Sequence, residues 1–194
     1  MARMMHWPIA IAPEHVFITS PFGVWEQWRR EWPADKGGPL LQHSGMDWNA
    51  AVGTQLYAAI PGEATTLEVP STFGKSVRVR GTSSFLYIAA GVDFFGPLEW
   101  SVNYYHLNAY VGAFPRRVRA GDLLGYSGQS GAQVKGAHLH HTVYVFLRGR
   151  WLMVDPWLFY PELSGTARGE VPFLLQDNVD GKQVRLPMYP HTWT

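Results

Sequence analysis

The chain has 194 residues, 46% of them hydrophobic and 16% charged, which is the length and composition of one globular domain with some additional segments. Its net charge of +1 gives it no basic excess, so we do not expect a nucleic-acid partner. It contains no cysteine, which excludes disulfides, thiolate nucleophiles and thiolate metal ligands and leaves nitrogen and oxygen atoms to hold any bound metal.

The first segment, residues 1–19, is predicted to be an N-terminal extension. Its apolar stretch is interrupted at His6, Trp7 and Pro8, which argues against a signal peptide. No stretch of the sequence approaches the ~18 consecutive apolar residues that a membrane-spanning helix needs. We therefore expect no membrane span.

A short helix is predicted from Trp25 to Trp32, because Trp25, Trp28 and Trp32 recur at helical spacing and Pro33 ends the pattern. Together with Trp48, these side chains either line a groove or cover an open end of the fold. Aromatic side chains mostly bury area in cores, which favours the covering role.

Strand patterns dominate the rest of the chain. Alternating or short apolar runs, bounded by turn residues, predict strands at Val77 to Arg80, Phe85 to Ala90, Leu98 to His106, His138 to Leu147, Trp151 to Val154 and Lys182 to Leu186. Short strands separated by regular turn signals are typical of an all-β sandwich or barrel.

His43 and Asp47 stand four residues apart with Gly45 between them. Gly45 permits the unusual backbone dihedrals of a turn that would let both side chains converge on one point. Imidazole and carboxylate groups are ordinary zinc ligands. The alternative is a polar surface loop in which both residues are incidental.

Three more histidines lie on predicted strands. His138 and His140 share a strand face, so they can serve one metal or place one ligand beside an acid–base group, unless the face is merely histidine-rich. His141 points to the opposite face. His106 ends another strand on the face of Tyr104, and a lone histidine in that position is more often structural than catalytic.

The glycine-rich loop from Gly125 to Gly136 is not a phosphate-binding loop, because it lacks the GxxxxGK[ST] pattern. It is either a turn between strands or a wall of a substrate groove, where glycine lets backbones come close. The chain also has no GxSxG elbow and no HExxH motif. Nucleophilic hydrolases of the serine or cysteine type are therefore not indicated.

Taken in order, these segments resemble peptidase family M23, the zinc metallopeptidases of the lysostaphin and LytM type. The resemblance covers roughly three quarters of the chain and rests on Ser20 to Gly23, the HxGxD motif at His43 to Asp47, Gly53 to Gly62, Phe73 to Val77, YxHL at Tyr104 to Leu107, Val118 to Gly131 and HLH at His138 to His140.

The resemblance implies a compact antiparallel β-sandwich over residues 20–163, followed by a C-terminal tail over residues 164–194. It implies that Zn²⁺ is bound by His43, Asp47 and His140, and that His106 and His138 are the two catalytic histidines. Three protein ligands and an open fourth position are the arrangement of a catalytic zinc.

The sequence departs from the family pattern in three places. A long, tryptophan-rich insertion, residues 23–41, precedes the first ligand. The loop from Asp35 to Pro39 lacks the tyrosine that glycyl-glycine-cutting members carry there, which argues against a glycine-bridge substrate. His141 replaces a residue that is usually large and apolar.

The function implied is a zinc-dependent endopeptidase that hydrolyses peptide bonds of bacterial peptidoglycan. Because no signal peptide is evident, one hypothesis is a phage-encoded endolysin or tail-associated lysin, made in the cytoplasm and acting at the cell wall after lysis or as part of a virion. The alternatives are an inactive binding or regulatory module with the same fold and a zinc enzyme acting on a small peptide or amide. Every ligand position is filled, which favours the active enzyme.

Overall fold

The computed structural model describes residues 5–22, 43–83, 98–147, 149–160, 162–163, 175–177 and 183–184. The named strands are β1 (Ile18–Ser20), β2 (Met46–Asn49), β3 (Gln55–Tyr57), β4 (Gly62–Val69), β5 (Gly74–Ser83), β6 (Leu98–Leu107), β7 (Ala109–Tyr110), β8 (Arg116–Val118), β9 (Leu123–Tyr126), β10 (His138–Leu147), β11 (Arg150–Val154), β12 (Leu175–Asp177) and β13 (Gln183–Val184). Two short 3-10 helices, Pro13–His15 and Pro156–Phe159, are the named helices in this part of the chain.

Every strand pairing in the described residues is antiparallel. The larger sheet has the order β13-β12-β11-β10-β6-β5-β4-β8, with β2 joining β10 and β1 joining β2, and the smaller sheet has the order β3-β9-β7. The predicted all-β antiparallel fold is thus confirmed. The predicted helix from Trp25 to Trp32, the predicted strand from Phe85 to Ala90 and the insertion at residues 23–41 lie outside the described residues.

The predicted strands agree with the named elements wherever the chain is described. The run from His138 to Leu147 is β10 itself, and the runs beginning at Val77, Leu98 and Trp151 fall within β5, β6 and β11. The run from Lys182 contains β13. Period-2 alternation places the core side chains of each strand on one face. The middles of β6 and β10 are buried on both faces.

One core cluster joins the two sheets. Alternate residues of the large sheet, such as Val79, Val102 and Val143, are fully buried against Leu56 and Leu124 of the small sheet. The segment before β1 adds buried apolar side chains to the same cluster, namely Met5, Trp7, Ile9 and Val16. No helix in the described residues has the length and apolar character to cross a membrane.

Strand β10 changes partner halfway along, and this positions the site. Its first half pairs with β2, where His138 lies opposite Asn49 and His140 lies opposite Asp47. Its second half pairs with β11. On its other side β10 pairs with β6, where His140 lies opposite Tyr105. The side chains of His138 and His140 therefore lie on the outer face of the large sheet, at the end where β2 and β6 flank β10.

A bulge at the end of β6 breaks the predicted alternation. Val77 of β5 pairs with Tyr104 and Lys75 pairs with Leu107, so Tyr105 and His106 together stand opposite a single residue of β5. His106 has a φ of 66°, a left-handed conformation that non-glycine residues adopt rarely. The prediction that Tyr104 and His106 share a face is wrong for this reason.

The two tyrosines before His106 point to opposite faces of the sheet, as consecutive residues of a strand do. Tyr104 is fully buried, and its hydroxyl accepts a 2.7 Å hydrogen bond from the Ala59 N–H. Tyr105 lies on the outer face, with its ring 5.3 Å from that of His140. Tyr104 is therefore a core packing residue.

Candidate metal centre

The pairing of β2 with β10 brings two predicted ligands together. Asp47 and His140 are direct cross-strand partners on the outer face, and Asp47 Oδ1 lies 2.7 Å from His140 Nδ1. Their neighbours Trp48 and Leu139 point into the core and are fully buried. The alternation that buries one face of each strand therefore fixes both polar groups on the other.

His43 completes the group from the segment just before β2. Its Nε2 lies 3.0 Å from His140 Nδ1 and 3.2 Å from Asp47 Oδ1, and its side chain is almost fully buried. Its Nδ1 lies 3.1 Å from the Pro21 carbonyl oxygen. Because a carbonyl oxygen only accepts, Nδ1 carries the proton and the lone pair of Nε2 faces the other two groups.

Steric crowding explains why residue 45 is glycine, and the sequence alone did not reveal it. Its φ lies outside the left-handed region, so the expected need for unusual dihedrals is wrong. A Cβ built on Gly45 would instead lie 2.6 Å from the His141 carbonyl oxygen and 2.9 Å from His140 Cε1. Glycine is required there because the loop passes directly over β10.

The three groups suit a divalent metal with nitrogen and oxygen ligands. One donor atom from each of His43, Asp47 and His140 converges on a shared point. The three donor atoms lie 2.7, 3.0 and 3.2 Å from one another, close enough to serve one ion. Two imidazoles and one carboxylate are a donor set that fits Zn²⁺.

The carboxylate of Asp47 is held in its ionised form. Burial acts to raise its pKa, but hydrogen bonding and charge interactions with His140 and His43 outweigh that effect and lower the pKa well below its usual range. An ionised carboxylate is the form that binds a metal.

His106 lies beside the group and is oriented by two backbone carbonyls. Its Nδ1 is 3.1 Å from both the Phe73 and Ser130 carbonyl oxygens, so this nitrogen carries the proton and Nε2 is left with a free lone pair. Burial, and then repulsion from His140 and His138, lowers the pKa of His106 to about 3. The ring is therefore neutral at neutral pH.

His138 is oriented in the same way. Its Nδ1 lies 2.8 Å from the Gly136 carbonyl oxygen, and its Nε2 lies 3.7 Å from Asp47 Oδ1. Its ring centroid is 4.8 Å from that of His106. The two histidines that the resemblance assigns to catalysis thus stand together beside the three residues that it assigns to the metal, each with Nδ1 bonded to backbone.

Backbone carbonyls of the glycine-rich loop hold the rings of both His106 and His138 in place. The Ser130 carbonyl bonds His106 and the Gly136 carbonyl bonds His138. The loop packs tightly on the turn between β4 and β5: a Cβ on Gly131 would clash with the Thr72 carbonyl oxygen, and one on Gly74 would clash with Ser130. Sequence reasoning missed these carbonyls because backbone atoms leave no trace in residue type, although clustered glycines did signal close approach.

His141 lies on the opposite face of β10, as alternation predicts. It is fully buried among aromatic rings, and its Nε2 lies 2.8 Å from the Tyr160 hydroxyl. Its ring is 5.0 Å from that of Tyr104 and 6.0 Å from that of Trp48. Burial lowers its pKa to about 3, so it is a neutral core residue.

Solved structures share this fold at low identity. The chain is similar to the catalytic domain of the antimicrobial peptidase lysostaphin from Staphylococcus simulans (20% identity, 76% of this chain and 93% of that chain, TM-score 0.53). It is also similar to LytU (24%, 90% and 93%, TM-score 0.52) and to Csd3 from Helicobacter pylori (21%, 80% and 34%, TM-score 0.51). The chain spans less than half the length of two of these proteins, namely 34% of the Csd3 chain and 39% of a peptidase chain from Vibrio cholerae.

A family model described as peptidase family M23 matches residues 41–153, which is more than half of the chain and includes all five histidine and aspartate positions of the site. No curated protein matches significantly. The chain therefore belongs to peptidase family M23, a family of zinc metallopeptidases.

Proposed function

We propose that this protein is a zinc-dependent endopeptidase that hydrolyses peptide bonds of bacterial peptidoglycan. The observation that carries the proposal is the convergence of His43 Nε2, Asp47 Oδ1 and His140 Nδ1 within hydrogen-bond distance of one another on an outer sheet face. Membership of the family and a fold shared with lysostaphin support a wall peptide as substrate.

In this proposal His43, Asp47 and His140 hold the metal. When bound, Zn²⁺ supplies Lewis-acid polarisation of the peptide carbonyl and lowers the pKa of water toward ~7. The chain supports that role by keeping Asp47 ionised and by aiming the Nε2 lone pair of His43 at the other two ligands.

His106 and His138 are the proposed proton-handling groups. Each has its Nδ1–H bonded to a backbone carbonyl, so Nε2 is the atom free to accept and return a proton. Since His106 is neutral at neutral pH, it can begin the reaction as a base. The other histidine then stabilises developing negative charge or protonates the leaving amine, and the two roles are interchangeable in this geometry.

Incubation with purified peptidoglycan tests the proposal directly. We expect zinc-loaded protein to release fragments with new free amino groups, a chelator to stop the release, and added zinc to restore it. Mass analysis of the fragments identifies the bond. A zinc-loaded sample that binds wall material but releases nothing would instead support an inactive binding module, and cleavage confined to small soluble peptides would support the third alternative.

Phage origin and attachment to a virion stay predictions from the sequence. The peptidoglycan assay bears on them when it is repeated with the protein added outside intact cells and inside permeabilised ones. A phage lysin is expected to act on the wall from within after lysis, whereas a virion enzyme must act from outside.

A further inference from the structure

An open groove runs from the metal centre along the outer face of the large sheet. It has a volume of about 260 Å³. Its near end contains Tyr105, whose ring lies 5.3 Å from that of His140, and its far end contains Trp151 of β11. A peptide cleaved at the metal would extend into it.

Polar groups of β6 line the floor of this groove and are already ordered. The Ser101 hydroxyl donates to Asn103 Oδ1 at 3.0 Å, and Asn103 Nδ2 donates to the Tyr105 hydroxyl at 3.0 Å. This row of hydrogen bonds leads along the strand from the middle of the groove toward the metal centre. A floor held in this way loses little conformational freedom when a ligand binds.

Arg78 of β5 lines the groove as a positive charge with neutral neighbours. Val77 and Val79 on either side of it point into the core. Its cross-strand partners are Thr65 of β4 and Asn103 of β6. Within the described residues, Arg78 forms no ion pair at 4.0 Å or less. An arginine with no carboxylate partner among the described residues, beside a polar floor, is suited to bind a carboxylate of a ligand.

Arg80, two residues further along β5, adds a second positive charge to the groove. Its guanidinium lies 5.1 Å from the ring of Trp151. Glu63 of β4 stands opposite both Arg80 and Arg117 of β8, and Glu99 of β6 stands opposite Thr82 on the same face. Among the described residues on this part of the face, the three arginines outnumber these two carboxylates by one.

The register gives the distance from the metal centre to these charges. Tyr105 lies opposite His140, and Asn103, two residues along β6, lies opposite Arg78. Arg78 also lies two strands across from His140, because β6 stands between β10 and β5. Two residues along β6 (about 7 Å) and two strand spacings of about 4.8 Å place the Arg78 Cα roughly 12 Å from the His140 Cα, the length of three to four residues of an extended peptide. A carboxylate up to about four residues from the cleaved bond would come within reach of Arg78.

We propose that Arg78, assisted by Arg80, binds a free carboxylate of the substrate. The proposal deepens the proposed function and rests on it: the substrate is a carboxylate-bearing stem peptide of the wall, not an uncharged oligoglycine bridge. It agrees with the absence of a tyrosine in the loop from Asp35 to Pro39, an independent departure from the glycine-cutting pattern.

A pair of synthetic cross-linked stem peptides tests this inference. The two differ only in that the carboxylate nearest the cleaved bond is free in one and amidated in the other. We expect zinc-loaded wild type to have a kcat/KM about 10- to 100-fold higher for the free acid, since hydrogen bonds to charged groups are stronger than neutral ones. Arg78→Gln should remove that preference by slowing cleavage of the acid only, and Arg80→Gln should reduce it partly.

Arg119→Gln is the matched control, because Arg119 is exposed and outside the groove. Equal cleavage of acid and amide by wild type, or an equal loss on both in Arg78→Gln, would overturn the inference while leaving the endopeptidase intact. Failure to cleave either peptide would count against the proposed function instead. Calorimetry of both peptides with His138→Ala then decides the inference by itself: a preference for the acid that depends on Arg78 supports it, and equal affinity overturns it.

Discussion

His140 and His141 are consecutive residues of β10 with opposite surroundings. His140 lies on the outer face against Asp47 and His43, whereas His141 lies in an aromatic core against Tyr160. The same side chain is thus a candidate ligand on one face and a packing residue on the other. Strand alternation decides the chemistry of an imidazole here more than its immediate sequence neighbours do.

Replacing His140 and His141 in turn should produce the largest difference between the two faces of β10. His140→Ala should bring peptidoglycan hydrolysis to background, because it removes one of three metal ligands. His141→Leu should retain activity within a few-fold, because Leu fills the core and touches no ligand atom directly. Release of free amino groups from purified wall measures both. Similar losses in the two variants would mean that the chemistry is not divided between the two faces of β10.

The second test separates the ligands from the two flanking histidines of the outer face. We expect His106→Ala and His138→Ala to lower kcat about 10²- to 10⁴-fold each, the range for removal of a general acid or base. Both variants should still bind zinc, since neither ring belongs to the converging group: His138 Nε2 lies 3.7 Å from Asp47 Oδ1, and the His106 ring lies 5.8 Å from that of His140. Loss of zinc from either one would reassign it to the ligand group.

On the core face, His141→Ala should cost stability instead of activity. The change leaves a cavity among aromatic rings and removes the hydrogen bond between His141 Nε2 and the Tyr160 hydroxyl, which also lies 4.0 Å from Met5 Sδ. We expect a loss of about 2–4 kcal/mol in the free energy of unfolding, measured with urea on metal-free protein. His141→Phe restores the volume without the hydrogen bond and should lose less. A neutral His141→Ala would show that the core does not depend on this ring.

Gly45 lies directly against the backbone of β10, so this position should not tolerate a side chain. Because a Cβ at this position would clash with the His141 carbonyl oxygen, we expect Gly45→Ala to displace the loop from the β10 backbone, with a cost of roughly 1–3 kcal/mol and weaker zinc binding. Gly136→Ala is the control, because a Cβ there meets nothing within 4 Å. Equal unfolding midpoints for the two variants would contradict the steric explanation.

The smallest expected effect concerns the buried Tyr104 hydroxyl. Burial raises its pKa, so above pH ~10 the unfolded chain releases this proton while the folded chain keeps it, and stability falls as the pH rises. Tyr104→Phe should lose about 1 kcal/mol at neutral pH through the missing bond to Ala59 and show a shallower decline at alkaline pH. Parallel alkaline profiles would show that Tyr104 does not contribute to the decline.

Much of the site could be predicted from sequence because it depends on alternation. The placement of His138 and His140 on one face and His141 on the other follows from period-2 spacing alone. The pairing of His140 with Asp47 could not be predicted in this way, because register between distant strands is set by tertiary packing. Assigning both to one metal required the resemblance to a family.

The bulge before His106 and the carbonyls that hold its ring were beyond sequence reasoning. A bulge adds one residue to a strand without a distinctive residue type, so alternation wrongly placed His106 on the same face as Tyr104. Ser130 acts through its backbone, which every residue possesses. Alternation therefore predicts side-chain faces until a bulge resets them.

Native mass spectrometry of zinc-loaded protein measures whether the outer face of β10 holds a metal. We predict one zinc ion per chain in the wild type and in His141→Leu, and none in His140→Ala. Zinc retained at full stoichiometry by His140→Ala, or absent from the wild type, would contradict the assignment of the outer face of β10 as a metal centre.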